Sequence, residues 1–437
     1  MDSAFCPNWQ LTNVKIKGLR RYIVALICVA TALNYLDRQT LALLAHTLDK
    51  ELGISITQYS YVTFAFLASY TVMNAVSGRL IYYFGTRRGF AFFAGGWSVA
   101  HALHAFASTV GQFAFCRFLL GAAEPANFPA GVKVVSEWFP VRERALAVGI
   151  FNSGTAIGAA LAAPVVAWIA LHLGWRYTFI VGAVLGAIWV VVWLLVYRVP
   201  QEHPWVTTDE LRLIEESQPS KAAPEAVSSL RLLRMRETWG CMLARMFTDP
   251  ISVFFAFWMP KFLQQERGFD LAALGKYYWI PYVGLALGNL VGGAVPAYMI
   301  RHGWSLDRSR KTVMFIESLM IPTSFILITR VPNPALAIAC TTSAMFFHAT
   351  WANVTLPAEV FQKDVVGSVS GFSGALGSLV SAITMLVIGK TVSVSSFTPI
   401  FIIYSALPMT AFALVCLLVK RLGCLREVPA VTAKEEP

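Results

Sequence analysis

Two adjacent ionisable residues stand inside an apolar stretch near the start of the chain. Asp37 and Arg38 occur in the sequence NYLDRQT, within a segment otherwise rich in Leu, Ala and Val. Ionisable groups deep in apolar helices are costly and usually serve function. Successive helical residues point about 100° apart, so these two can line one cavity from two sides. The alternatives are an interfacial position or a pair with each other.

A second pair lies further along the chain. Arg117 and Glu124 are seven residues apart, close to two helical turns, so both face one side of a helix. This arrangement suits a proton-linked anion site. Ionised Glu124 neutralises Arg117, and protonated Glu124 leaves Arg117 free for another partner. A static ion pair is the alternative.

Uncharged polar residues in two other apolar segments can complete such a site. Tyr70 and Asn74 are one turn apart and share a helix face. Asn152, Ser153 and Thr155 occur in GIFNSGTAIGAA, whose glycines and alanines permit close helix approach. Tyr70 can equally be a core or interfacial tyrosine, and Asn152 can serve an interhelical hydrogen bond.

The second half of the chain offers weaker candidates. Arg245 and Asp249, four residues apart, are interpreted as a structural gate pair. The other polar or aromatic candidates within its apolar segments are Asn289, Glu317, His348, Trp351 and Asn353.

Signals for metal, nucleotide or hydrolytic chemistry are weak. His101 and His104 have a spacing that could bind a metal, but no Cys, Asp or Glu is close in sequence, so we predict packed histidines and no metal site. The motifs GxxxxGK[ST], GxSxG and HExxH do not occur. We therefore expect neither ATP-driven pumping nor an enzyme, and no cofactor.

The elements that position these residues follow from composition. Of 437 residues, 57% are hydrophobic and 14% charged, against roughly 25% charged in a soluble domain, and the mean hydropathy is +0.60. This excludes a cytosolic enzyme, a secreted disulfide scaffold and a disordered chain. A membrane span needs about 20 mostly apolar residues. We predict twelve, at 22–45, 59–83, 89–109, 112–136, 144–170, 176–197, 239–264, 272–300, 311–329, 334–358, 367–389 and 397–419.

The formal net charge of +11 is distributed unevenly. Most Lys and Arg residues lie in both tails, the central linker and alternate loops. The opposite loops hold only Lys50, Arg176, Arg267, Arg330 and Lys390. The positive-inside rule then places both termini in the cytoplasm, in a plasma (cytoplasmic or inner) membrane protein. No nucleic-acid partner is expected. A signal peptide cleaved after Ala32 is disfavoured, because apolar character resumes after Arg38.

A polar interval divides the predicted spans six and six. We predict an N-terminal six-helix bundle over 1–198, a cytoplasmic linker over 199–238 with an amphipathic helix near Thr208–Glu216, and a C-terminal six-helix bundle over 239–437. A short pattern recurs after the fourth and tenth spans at one offset of 222 residues, Glu137, Phe139 and Gly149 matching Glu359, Phe361 and Gly371. With the six-plus-six division, this indicates duplicated halves of the same orientation, which is typical of transporters.

NYLDRQT and RFLLGAAEPANFPA resemble motifs of the major facilitator superfamily, and within it the anion:cation symporter family. Further matches over both halves are LGISITQYSYV, EWFPVRERALAVGIFNSG, FWMPKFLQQERGF, RHGWSLDRSRK and LPAEVFQKDVVGSVSGFSG, and the second-half phrases are most similar to bacterial hexuronate transporters. The resemblance implies an all-α integral membrane fold of twelve transmembrane helices in two six-helix bundles.

The resemblance also implies roles by position. Asp37 and Glu124 match proton-binding carboxylates, and Arg38 matches the residue that holds the substrate carboxylate. Arg117 matches the arginine coupled to the glutamate. The implied substrate contacts are Tyr35, Tyr70 and one polar position of the fifth span, either Asn152 or Thr155.

One loop departs from the superfamily pattern G-x-L-x-D-R-x-G-x-R-R/K. In the sequence after the second span, Tyr82 occupies the usual aspartate position, which puts the cytoplasmic charge latch in doubt.

We therefore expect proton-coupled symport that imports a sugar acid anion, a hexuronate such as glucuronate or galacturonate, by alternating access. The expected partners are this anion, protons and the lipid bilayer, and we expect a monomer. The alternatives are another organic anion (an aldonate, an aromatic acid or a dicarboxylate), a non-transporting membrane receptor, a polytopic enzyme and an exporter of the same fold.

Overall fold

The computed structural model describes residues 15–216, 229–351 and 356–423. Within these ranges the chain is helical, with short connecting turns. The helices are α1 Leu19–Leu52, α2 Ile56–Phe84, α3 Thr86–Leu103, α4 Val110–Ala123, α5 Asn127–Trp138, α6 Arg144–His172, α7 Trp175–Val196, α8 Thr208–Glu216, α9 Ser229–Arg234, α10 Arg236–Phe257, α11 Met259–Glu266, α12 Leu271–Tyr277, α13 Ile280–Arg301, α14 Leu306–Arg330, α15 Pro334–Thr350, α16 Leu356–Val360, α17 Lys363–Val394 and α18 Thr398–Leu418.

These helices account for the twelve predicted spans. Eight helical stretches among the described residues are long and apolar enough to cross a membrane: α1, α6, α7, α10, α12 with α13, α14, α17 and α18. The other four predicted spans correspond to α2, α3, α4 with α5, and α15. These four are also helical, but they are more polar, shorter or interrupted. The all-α prediction is confirmed.

The first two helices show how local sequence sets the boundaries. Gly53 ends α1 in the left-handed conformation, with φ at 66°, which glycine adopts at little cost. Two residues later Ser55 caps α2. Its hydroxyl accepts a hydrogen bond from the Gln58 backbone nitrogen, and the Gln58 side chain accepts one from the Ser55 nitrogen.

Small residues let the helices pack closely. In the first half α1 packs on α6, α2 on α4 and α3 on α7; in the second α13 packs on α15 and α10 on α17. A Cβ at Gly158 of α6 would collide with the carbonyl oxygen of Ala32, and one at Gly288 of α13 with that of Phe346. The predicted close approach at GIFNSGTAIGAA is therefore present, with a counterpart in the second half.

The halves touch where α1 ends and α2 begins. Lys261 of α11 lies 2.6 and 2.8 Å from the two carboxylate oxygens of Asp49, and the Tyr59 hydroxyl donates to the Phe257 carbonyl at 2.6 Å. A Cβ at Gly389 of α17 would collide with Ser60. We call this group of contacts the closed end of the molecule.

The linker contacts the opposite end of α1. The amphipathic helix predicted near Thr208–Glu216 is present as α8. Glu210 of α8 accepts hydrogen bonds from the backbone nitrogens of Leu19 and Arg20, at 3.1 and 3.2 Å. The linker thereby satisfies two backbone donors at the start of α1.

Candidate functional site

A polar cavity of about 600 Å³ lies between the two halves. Its lining from the first half comes from α1, α2 and α5, and its lining from the second half comes mainly from α10, α13, α15 and α17. The polar and ring-bearing lining residues are Tyr35, Arg38, Gln39, Phe66, Tyr70, Asn74 and Phe128 on one side and Arg245, Asp249, Ser252, Phe257, Asn289, His348, Trp351, Ser378 and Ser381 on the other.

Arg38 presents its guanidinium to this cavity between two tyrosines. Its guanidinium carbon lies 4.6 Å from the ring centroid of Tyr35 and 4.9 Å from that of Tyr70. Aromatic faces at this distance attract a cation and hold a planar guanidinium in place. Three residues singled out in the sequence thus meet on one wall.

Glu124 is the ion partner of Arg38. One carboxylate oxygen of Glu124 lies 2.7 Å from Nη2 and 2.9 Å from Nε of Arg38, whereas the other oxygen has no hydrogen-bond partner in the part of the chain that the structure describes. The carboxylate is fully buried and the arginine side chain is 13% exposed. Proton binding at Glu124 would therefore change the charge beside a cavity-lining arginine.

Arg117 does not pair with Glu124, contrary to the stacking expected from their spacing. The buried Arg117 guanidinium donates through Nη1 to the Arg38 carbonyl at 3.4 Å, and its Nε and Nη2 have no hydrogen-bond partner among the described residues. The helix α4 ends at Ala123, and Glu124 begins a 3-10 turn that contains Pro125. The carboxylate reaches across to α1 instead.

Asp37 also differs from expectation. We expected Asp37 and Arg38 to line one cavity from two sides, but Asp37 is not among the described residues that line the cavity, and its side chain lies inside the first half. There, one of its carboxylate oxygens lies 3.3 Å from Nε2 of His101 on α3. Adjacent residues on α1 diverge, as predicted, and each meets a different partner. His101 was missed as a partner because the sequence presented it only beside His104.

The fifth-span candidates lie apart from this wall. Asn152 is exposed and Thr155 half-buried on α6, and neither is among the described residues that line the cavity. Asn74, which shares a face with Tyr70, does line it.

The second-half lining contains the predicted gate pair. Nη2 of Arg245 lies 2.9 Å from Oδ2 of Asp249. Nearby, Ser252 and His348 lie within hydrogen-bond distance, with Oγ 2.5 Å from Nε2. Asn289 and Trp351 line the cavity, whereas Asn353 lies outside the described residues.

Two further candidates do not belong to the cavity. Glu317 is buried on α14 and accepts a hydrogen bond from the Thr350 hydroxyl, but it is not among the described residues that line the cavity. Sequence reasoning missed Ser378 and Ser381, whose only signal was their place among the small residues of GFSGALGSLVSA. Across the described residues, no group of three or more His, Cys, Asp or Glu side chains could hold a metal.

Known proteins resemble this chain in sequence and in fold. The family model of the Major Facilitator Superfamily matches residues 27–302. The chain is 36% identical to the hexuronate transporter of Escherichia coli (strain K12), over 89% of this chain and 91% of that protein. It is 37% identical to the galacturonate transporter of Dickeya chrysanthemi, over 76% of this chain and 96% of that protein.

Solved structures share the fold at low identity. A D-xylose-proton symporter superimposes with a TM-score of 0.71 at 15% identity, covering 91% of this chain and 97% of that one. An inward-facing, unoccupied bacterial homologue of the human lysosomal transporter Spinster gives 0.70 at 16% identity, covering 93% and 96%.

Proposed function

The chain belongs to the Major Facilitator Superfamily, and we propose that it imports a sugar acid anion together with protons by alternating access. Membership confirms the predicted resemblance and the all-helical membrane fold. It also confirms that the chain is a transporter and not an enzyme. The protein is an integral membrane protein.

The observation that carries the substrate proposal is Arg38 on the cavity wall between Tyr35 and Tyr70. A planar guanidinium binds a carboxylate through two parallel hydrogen bonds. The tyrosine hydroxyls and the serines and Asn289 opposite can hydrogen-bond sugar hydroxyls. A hexuronate carries one carboxylate on a hydroxylated ring, which fits this distribution. The names of the relatives, hexuronate and galacturonate transporters, support the same class.

Proton coupling is proposed to work through the Arg38–Glu124 pair. When Glu124 is ionised, its carboxylate forms an ion pair with the Arg38 guanidinium, with Oε2 2.7 Å from Nη2. A proton on Glu124 removes that charge and releases Arg38 for the substrate carboxylate, so proton and anion bind together. Asp37 is proposed as a second proton-binding carboxylate. Arg117 is proposed as the cation whose positive charge acts on both carboxylates, Asp37 and Glu124. We also propose that one of the fifth-span residues, Asn152 or Thr155, meets the substrate in another state of the cycle.

Alternating access is proposed to rock two six-helix bundles, 1–198 and 239–437, around this cavity. The contacts of Lys261 with Asp49 and of Tyr59 with Phe257 join the halves at the closed end. If the positive-inside rule places both termini and the 199–238 linker in the cytoplasm, the closed end faces outward. We propose that the unit of transport is a monomer.

Uptake into proteoliposomes tests the proposal. An acid-outside gradient should drive accumulation of labelled glucuronate by the full-length protein, and dissipating the gradient should abolish accumulation. Asp37→Asn and Glu124→Gln should lose gradient-driven accumulation. Retained accumulation in both variants would contradict the coupling assignment, and a wild-type protein indifferent to the gradient would contradict symport.

A second substrate class has one observation in its favour. Arg245 lies on the opposite side of the cavity from Arg38, so a dicarboxylate could meet one arginine at each end. A probable galactarate/D-glucarate transporter of Escherichia coli is 31% identical over 87% of this chain. A thermal-shift panel of uronates, aldonates, aromatic acids and aldarates separates these classes.

A further inference from the structure

The interior of the first half holds a contact between Asp37 and His101 that the cavity does not explain. Oδ1 of Asp37 lies 3.3 Å from Nε2 of His101, and both residues are 0% exposed. Neither Asp37 oxygen has a hydrogen-bond partner among the described residues, and neither does Nε2. Buried polar groups are rarely left unpaired. A single proton between Oδ1 and Nε2 would give each of these two atoms a partner.

The helix opposite leaves room for this contact. A Cβ at Gly182 of α7 would lie 2.7 Å from Oδ1 of Asp37 and 2.7 Å from Nε2 of His101. Any larger residue would therefore press on both partners at once. Phe179, one turn earlier on α7, lies against the His101 ring with centroids 5.1 Å apart. The Phe179 ring thus covers the Asp37–His101 pair, and the missing side chain at Gly182 leaves room for their contact.

The surrounding charges determine which partner carries the proton. Arg117 of α4 and Glu124 in the turn after it act on the pair, and His104 lies in the 3-10 turn that follows α3, with its ring centroid 6.1 Å from that of His101. Arg38 of α1 and Tyr59 of α2 act in turn on Arg117. The part of α7 that packs against the pair presents Thr178, Phe179 and Gly182.

Both groups are buried away from water, which disfavours an ionised Asp37 and a charged His101 alike, and Arg117 adds to the cost of a positive charge on His101. The proton therefore stays on the Asp37 carboxyl, whose O–H donates to the neutral Nε2.

We propose that His101 is a positioning residue for proton coupling, which accepts the hydrogen bond of protonated Asp37 and fixes the orientation of its carboxyl group. The inference deepens the proposed function, in which Asp37 binds a proton, and gives a role to a histidine that the sequence suggested was only packed. When Asp37 loses its proton, Nε2 loses its donor, so proton release is coupled to a change in the α1–α3 contact.

Infrared difference spectroscopy tests the contact without transport. In the full-length protein in lipid, lowering the pH should raise the carbonyl band of a buried protonated carboxyl, assigned by its loss in Asp37→Asn. His101→Phe removes the acceptor, so the band should move to higher frequency. His104→Phe is the matched control, because His104 instead bonds the Ala100 carbonyl at 2.8 Å. An unchanged band in His101→Phe, or no band that depends on Asp37, would overturn the inference.

A second pair of variants covers a folding failure of His101→Phe. Gly182→Ala should displace the pair and move the same band, whereas Gly186→Ala, one turn along, meets Ser98 and should not. In liposomes, the pH of half-maximal glucuronate accumulation should shift by about one unit in His101→Phe or Gly182→Ala and not in the controls. A wild-type protein without gradient-driven uptake would contradict the proposed function, yet the infrared result would still decide whether His101 holds Asp37.

Discussion

In the first half of the molecule, Asp37, His101, Arg117 and Glu124 are each at most 1% exposed, and most of their polar atoms lack a hydrogen-bond partner within the described ranges. In the second half, the side chains of Arg245 and Asp249 are 26% and 20% exposed, and they neutralise each other at 2.9 Å. The first half therefore keeps ionisable groups whose partners can change, whereas the cavity face of the second half carries a charge pair that is already matched.

This difference suggests a division of labour within a duplicated fold. An unmatched buried charge is costly, and it persists where its changes of partner serve function. A matched and partly hydrated pair contributes little when it is disturbed. We infer that the first half carries coupling, while the second half shapes the cavity and closes against the first.

The largest expected effect comes from comparing the two cavity arginines. Arg38→Gln removes the proposed carboxylate ligand and leaves Glu124 buried without its partner. Truncating one member of a buried charge pair costs about 2–5 kcal/mol, so glucuronate affinity should fall at least about 30-fold. Arg245→Gln breaks a more exposed pair and should cost about tenfold or less. Binding measured by calorimetry on the purified variants checks both values.

The opposite ranking would reverse the proposed division of labour. If Arg245→Gln lost more affinity for glucuronate than Arg38→Gln, the second half would hold the carboxylate. If both variants lost affinity for glucarate equally, the dicarboxylate alternative would gain support.

Sequence alone predicted the helices of this comparison better than their contacts. The spans were recognisable because about 20 apolar residues must cross the bilayer core. The first helix nevertheless runs from Leu19 to Leu52 rather than over 22–45, since it continues to a glycine cap outside the apolar segment.

The partners of the buried ionisable residues could not be predicted from the helical periodicity of the sequence. The spacing of Arg117 and Glu124 fixes a shared helix face but says nothing about a second helix. Arg38 lies 86 residues from Glu124 in sequence, and only the packing of α1 against the break at Pro125 brings them together. His101 likewise meets Asp37 only through the packing of α1 and α3.

The repeated glutamates offer a second comparison, at the end of the molecule opposite the closed end. Glu137, at the end of α5, accepts hydrogen bonds from the Thr86 hydroxyl at 2.7 Å and from the Tyr197 hydroxyl. Glu359, 222 residues later, forms an ion pair with Arg310 at 2.6 Å. Each ties the end of its span to the start of the preceding long helix. The repeat found in the sequence thus marks equivalent positions with different chemistry.

The two glutamates should therefore differ in their contribution to stability. Glu359→Gln removes a charged hydrogen bond and should lower the free energy of unfolding by about 1.5–3 kcal/mol. Glu137→Gln keeps an acceptor for neutral donors and should cost about 1 kcal/mol. Denaturant unfolding in detergent, followed by tryptophan fluorescence, measures both. Equal losses of unfolding free energy in the two variants would mean that the Arg310–Glu359 ion pair adds no more stability than the neutral hydrogen bonds at the equivalent position of Glu137.

The smallest expected effect concerns the loop that departs from the superfamily pattern. Tyr82, in the usual aspartate position, is 80% exposed, and the Lys133 ammonium lies 5.2 Å from the centroid of its ring. An exposed side chain with so few contacts contributes little, so Tyr82→Asp should change the free energy of unfolding by less than about 0.5 kcal/mol. The new carboxylate would lie near Lys133, and the pair could form a latch on the first half. The same unfolding assay and the uptake rate test this. If Tyr82→Asp raised the free energy of unfolding by well over about 0.5 kcal/mol and slowed uptake, the first half would lack a latch that the second half has in Arg310 and Glu359.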